Sequence, residues 1–195
     1  MTRKLLLALC MLFGLFAISA AQDVDPEMAK QSTAILTRMR KVELLNELLP
    51  LILEKQQINR ILPTIEKIRA KQRKLIEQEH KDLLEFDQPT VTVVDDGVKG
   101  KMPSSTYVTT ILAFYHANDI RRQVAMGENL DILMPALKQI LNPGQLKVMA
   151  NSLTVTFFEP DLTPNEMNDE TKMRVFAREV LLDPLTYDLL LQMAK

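Results

Sequence analysis

Apolar residues three to four positions apart run through most of this chain. From Met28 they fall at Ile35, Leu36, Met39, Val42 and Leu45, the spacing of an amphipathic helix. Asp25-Pro26-Glu27 reads as its start, with Asp as the N-cap, Pro at the first helical position and Glu at the positive helix end. Pro50 is expected to break or kink this helix after about Leu49. The longest periodic run follows, Leu53 to Phe86, with no glycine and one proline, Pro63, which is expected to kink it. Its apolar face is Ile58, Ile61, Ile65, Ile68, Leu75 or Ile76, and Leu83. Gln72 and Glu79 interrupt that face, so the C-terminal half is expected to be only partly buried. At about 1.5 Å per residue the run spans roughly 50 Å. A helix of that length has to lie along a partner helix or a second subunit.

The pattern changes over residues 87–105. The run Thr90 to Val94, the turn residues Asp95-Asp96-Gly97 and the stretch Val98 to Met102 predict a small β-hairpin or a flexible insert. Beyond it, helical spacing predicts a helix over 106–124 ended by Gly127 and another over 129–140 with Pro135 inside. A third, opened by Asn142-Pro143-Gly144, is predicted over 143–150. A polar loop over 151–169 precedes two short helices over 170–182 and 184–193. The expected fold class is therefore all-α, a long kinked-helix hairpin or bundle with a small hairpin-like or disordered insert.

Composition sharpens this picture. Five Gly, three Tyr and no Trp among 195 residues leave a chain rich in good helix formers. The N-terminus reads as something other than fold. Arg3 and Lys4, the apolar run Leu5 to Ile18, and the small residues Ser19, Ala20 and Ala21 have the layout of a cleavable signal peptide over 1–21. The apolar run falls short of the ~20 residues that span a bilayer. The expectation is a periplasmic or secreted protein with no transmembrane anchor after cleavage. A single helical domain over 22–195 would remain, without cysteine, because Cys10 is the only one. No disulfide is then available, and the core or an oligomer must supply stability. Loss of Arg3 and Lys4 leaves 22 basic against 25 acidic residues, a net of −3, unlike a nucleic-acid binder.

Catalytic chemistry lacks its parts. There is no Gly-x-Ser-x-Gly, no phosphate-cradling glycine loop and only two histidines. Asp95 and Asp96 sit in turn sequence rather than as an acid–base pair. Glu77-Gln78-Glu79-His80 carries one Glu-x-x-His, and His116 is followed three residues on by Asp119. A dinuclear helical site needs two full motifs and two further carboxylates. The expectation is no enzyme, no cofactor and no assigned metal ligand.

One local pattern recurs. Leu53-Glu54-Lys55-Gln56-Gln57 and Leu141-Asn142-Pro143-Gly144-Gln145 each place Leu four residues before Gln at a helix start. Leu162-Thr163-Pro164-Asn165-Glu166 is a third version with Glu. The second residue can cap the helix, the glutamine near N3 can reach back in a capping box, and the leucine staples the entry to the core. In an exported helical chain of this size, two such motifs resemble those of the Spy/CpxP family of periplasmic LTxxQ proteins. Leu53, Gln57, Leu141 and Gln145 match; Glu54 and Asn142 stand where the family has Thr. The resemblance covers residues 40–86 and 106–150. It implies a kinked helical hairpin that dimerises into a cradle and binds unfolded or stress-exposed envelope proteins without ATP. The implied client-binding groups are Arg60, Lys67, Lys71, Lys74 and Lys81, with electrostatic attraction followed by weak apolar contact. Two other readings stay open: a structural or sensory protein with one specific envelope partner, and a metal-binding accessory protein.

Overall fold

The computed structural model describes residues 25–163 and 166–195; the expected signal peptide lies outside the described residues. The chain divides into two units, one ending at Glu43 and the other running from Leu44 to Lys195. Helix α1 (Pro26–Leu48) begins in the first unit. There Met28, Ile35, Leu36, Met39 and Val42 are all exposed.

In the second unit, Leu44 and Leu48 at the end of α1 are buried. Pro50 lies in a single 3-10 turn, Leu49–Leu51, that closes the helix. Helix α2 (Lys55–Leu84) carries Pro63 inside. Its expected core positions Ile58, Ile61, Ile65 and Ile68 are buried, whereas Ile76 and Leu83 are exposed. The element order continues with α3 (Asp87–Val98), α4 (Ser105–Ile140), α5 (Pro143–Asn151), α6 (Val155–Phe158), α7 (Asp169–Phe176) and α8 (Thr186–Met193). All eight are helices, and no strand occurs among the described residues. None is long and apolar enough to cross a membrane.

Helices α2 and α4 lie antiparallel along their length. Lys71 pairs with Glu128 at 2.9 Å, Glu79 with Arg122 and Asp82 with Arg121 at 2.7 Å. Residue numbers rise on one helix as they fall on the other, so a neighbouring helix of the same chain meets the packing demand of α2. The C-terminal helices fold back on the base of this pair. Phe176, Leu181 and Leu190 join Ile61, Ile65, Leu133 and Leu137 in one buried cluster. Between α7 and α8 the chain widens into a π-helical turn, Ala177–Leu181. The Arg69 guanidinium stacks on the Tyr187 ring, 4.1 Å from its centroid, a cation–π contact that ties α8 to α2.

Three expectations are corrected. Residues 87–98 form helix α3, not a hairpin or flexible insert. The helix-propensity deficit of Val and Thr is only a few tenths of a kcal/mol per residue, and contacts to α4 outweigh it. The Phe86 and Phe114 rings lie 4.7 Å apart, and the Thr90 and Tyr107 hydroxyls share a 2.6 Å hydrogen bond. Gly97 is not a hairpin turn but lies in the last helical turn. Gly100, at φ 87°, reverses the chain. Lys101 N donates to Asp96 O at 3.0 Å and Gly100 N to Gly97 O at 2.9 Å, the paired bonds of a Schellman cap. Second, Gly127 ends nothing, because α4 is one helix of 36 residues. An interior glycine costs about 1 kcal/mol, less than the buried cluster from Leu130 to Leu137 returns. Third, the expected loop over 151–169 holds the short helix α6, whose Val155 is buried.

Candidate binding face

The two motif glutamines meet. Glu54 N donates to Gln57 Oε1 at 3.0 Å at the start of α2, and Asn142 N donates to Gln145 Oε1 at 3.0 Å at the start of α5. Gln145 N in turn donates to Asn142 Oδ1 at 2.9 Å, completing a capping box. The side-chain amides then pair across the helices, Gln57 Nε2 to Gln145 Oε1 at 2.8 Å and Gln145 Nε2 to Gln57 Oε1 at 2.9 Å. The remaining amide protons go to the carbonyls of Ile140 and Leu51, each at 3.0 Å. Both glutamines thus have both amide protons and both acceptor lone pairs used. Leu141 is buried and Leu53 partly so, which staples each entry to the core. The third version differs. Glu166 accepts from Thr163 N and Oγ1 at 2.9 and 2.7 Å, but the next helix starts only at Asp169, capped by Asn168. The glutamine pair locks the base of the structure and offers no free group to a ligand.

The open surface lies further out. His80, Leu83, Asp87, Val91 and Val94 follow one another at helical steps through α2 and α3. The intervening Glu85 and Phe86 keep right-handed helical dihedrals, so the phase carries across. On α4 the matching stripe is Val108, Leu112, Tyr115, Asp119, Arg122 and Met126. Because the helices are antiparallel, these stripes share one flank. A cleft of about 500 Å³ lies between them, walled by His80, Leu83, Asp87, Ile111 and Tyr115, with Phe86 and Phe114 lining it too. A second hollow of about 390 Å³ follows toward the base, between Ile76, Arg122, Met126 and Pro184. At the base of the same flank the C-terminal segment faces α2: Tyr187 lies under Arg69, and a hollow of about 230 Å³ separates Leu182 and Pro184 from Arg73 and Ile76. Beyond Pro184 the apolar stripe continues uncovered, with Leu112 62% and Tyr115 54% exposed.

Ion pairs hold the two helices in register beneath this face. Glu79 is 5% exposed and accepts from Arg122 Nε and the terminal guanidinium nitrogen at 2.8 and 2.7 Å, a bidentate fork. The Arg122 hydrogen bonds hold the Glu79 carboxyl below the usual carboxylate range, against the opposing effect of burial. Glu79 in turn raises the Arg122 guanidinium. Asp82 is lowered likewise, first by its hydrogen bond from Arg121 and next by one from Gln78. Glu79 thus fills the polar gap foreseen in the apolar face of α2, as half of an ion pair.

The basic residues suggested by the resemblance lie elsewhere. Lys71 is paired with Glu128. Arg60, Lys67, Lys74 and Lys81 are exposed. At 100° per residue the five spread over about 80° of the α2 surface, with Lys71 at the edge nearest α4. None belongs to the stripe of His80 and Leu83. Among the described residues no three His, Cys, Asp or Glu side chains converge as metal ligands. His80 lines the cleft, and His116 is exposed on α4.

Phe86, Leu112, Phe114 and Tyr115 were not singled out from the sequence. A signal for Leu112 and Tyr115 exists: from Met102 to Ile120 there is no Lys or Arg, while Val108, Leu112 and Tyr115 recur at helical steps. Comparison with protein-family models, with curated proteins and with solved structures found no match to this chain.

Proposed function

We propose that this is a non-catalytic, exported binding protein that holds apolar segments of unfolded or stress-exposed polypeptides without ATP. One observation carries the reading: the flank of the α2–α4 pair that its own C-terminal helices face at the base continues outward as an uncovered apolar stripe. That stripe lines the 500 Å³ cleft beside Tyr115, and its aromatic and aliphatic walls suit weak, non-selective apolar contact. The glutamine pair, Lys71–Glu128 and Asp82–Arg121 hold the register without the apolar residues of this face. The face is therefore free to bind. Export rests on the N-terminal segment 1–21.

The test is light scattering of two chemically unrelated, aggregating clients with the purified protein, without ATP. Suppression of both, lost in the Leu112→Ser/Tyr115→Ser variant while the helical circular dichroism is kept, supports the reading. No suppression of either client by the folded protein overturns it. Recovery of a periplasmic form whose mass starts at Gln22 tests export.

A further inference from the structure

We propose that the segments held on this face are cationic as well as apolar. This rests on the reading of the face given above and adds the chemistry of its partner.

The charge of the chain is unevenly placed. Residues 79–122, which make the outer part of the pair with the partners of its ion pairs, hold seven acids, Glu79, Asp82, Glu85, Asp87, Asp95, Asp96 and Asp119, against five bases, Lys81, Lys99, Lys101, Arg121 and Arg122, a net of −2. The chain without residues 1–21 is −3, so most of its excess charge lies here. Asp82 is neutralised by Arg121 and Asp96 by Lys101. Among the described residues Glu85, Asp87, Asp95 and Asp119 have no ion pair. Two of these four sit on the uncovered flank. Asp87 is in the wall of the cleft, and Asp119 lies one helical turn from Tyr115 in the α4 stripe. Arg122 in that stripe is forked by Glu79 and is also raised by the nearby Asp119, which accepts from Gln123 Nε2 at 2.9 Å.

A polypeptide carrying Lys or Arg beside its apolar residues meets both demands of such a surface. Its aliphatic stems extend the apolar contact along the stripe while its charged heads reach Asp87 and Asp119. The acidic field also speeds encounter with such a segment and discourages acidic ones. Anionic lipid surfaces and nucleic acids are disfavoured for the same reason. The polarity is the reverse of the basic cradle that the family resemblance implies.

The experiment is fluorescence anisotropy of the purified protein with two labelled 18-residue amphipathic peptides. They have identical apolar residues, with Lys at every polar position of one and Glu in the other. The Lys peptide should bind at least about tenfold more tightly at low salt, and the difference should shrink toward 0.5 M salt. The Asp87→Asn/Asp119→Asn variant should narrow the gap to about threefold or less, and Leu112→Ser should weaken both peptides. Equal binding of the two peptides overturns the cationic preference and leaves the apolar face standing. Binding of neither, or binding indifferent to Leu112→Ser, overturns the face itself. Sedimentation of the protein alone supplies the remaining arm: a dimer that Leu112→Ser converts to monomer assigns the face to a second copy and overturns the proposal. Both variants replace exposed or half-exposed side chains, and retention of the helical spectrum shows that they fold.

Discussion

Gln57 and Gln145, 88 residues apart in sequence, hydrogen-bond to each other in both directions, and each also caps the helix it belongs to. A single amide therefore does two jobs: it satisfies a helix N-terminus and joins it to another.

Removing either side chain strands the partners of both. Gln145→Ala leaves the Leu51 carbonyl, the Asn142 N–H and half of Gln57 without partners, and should cost about 1–3 kcal/mol in urea unfolding. Gln57→Ala should cost a similar amount. In the double variant the penalties should fall short of additivity by about 0.5–3 kcal/mol. Additive losses would mean that the two caps act separately.

Ile52, directly before the first motif's Leu53, sits at φ 47° and ψ 52°, a left-handed conformation that a β-branched residue rarely adopts. Its side chain is 81% exposed, so it loses little contact on truncation. Ile52→Gly should raise stability by about 1 kcal/mol, read as a higher melting temperature. A lower one would show that the isoleucine packs in a way its exposure hides.

Two glycines, one inside α4 and one in the cap of α3, should respond in opposite directions. Nothing lies within 4 Å of a Cβ added at Gly127, and the residue is inside α4, so Gly127→Ala should stabilise by about 0.5–1 kcal/mol. Gly100 also has open space but a φ of 87°, so Gly100→Ala should destabilise by about 1 kcal/mol through strain in the Schellman cap. Thermal unfolding of the two variants side by side checks both signs.

Acid should loosen the α2–α4 register. The Glu79 carboxyl is lowered from 4.5 in the folded chain, chiefly by hydrogen bonds from Arg122. A depressed folded value means that its contribution is fully present above the unfolded value and is lost as pH falls through the folded one. Stability should therefore decline below about pH 4.5, and Glu79→Gln should flatten part of that decline while lowering stability at pH 7. Denaturant unfolding across pH 3–7 for both proteins reads the difference. Parallel curves would show that other carboxylates carry the acid sensitivity.

Much of this architecture could be read locally. The position of α2, its buried Ile58, Ile61, Ile65 and Ile68, and the helix starts at the two motifs follow from periodicity and capping, which act within a few residues. What was missed depends on distant partners. The valine- and threonine-rich run 90–94 has the composition of a strand, and only the contacts of Phe86 and Thr90 with Phe114 and Tyr107 make it a helix. Gly127 looked like a stop because a lone helix pays its full cost, whereas here the packing of the following residues offsets it. Tyr115 follows the helical stripe of Val108 and Leu112, whereas Phe114 stands out only once Phe86 lies against it.

The sequence alone determined that the chain is helical, where its longest helix lies, and that Gln57 and Gln145 stand at N3 of their helices. Local spacing and local hydrogen bonds suffice for each of these. Tertiary structure decided the fate of residues 87–98, the continuity of α4, the pairing of the two glutamines, and which flank of the helix pair stays open. Those outcomes depend on side chains 17 to 118 residues apart, whose contact energies no local pattern encodes.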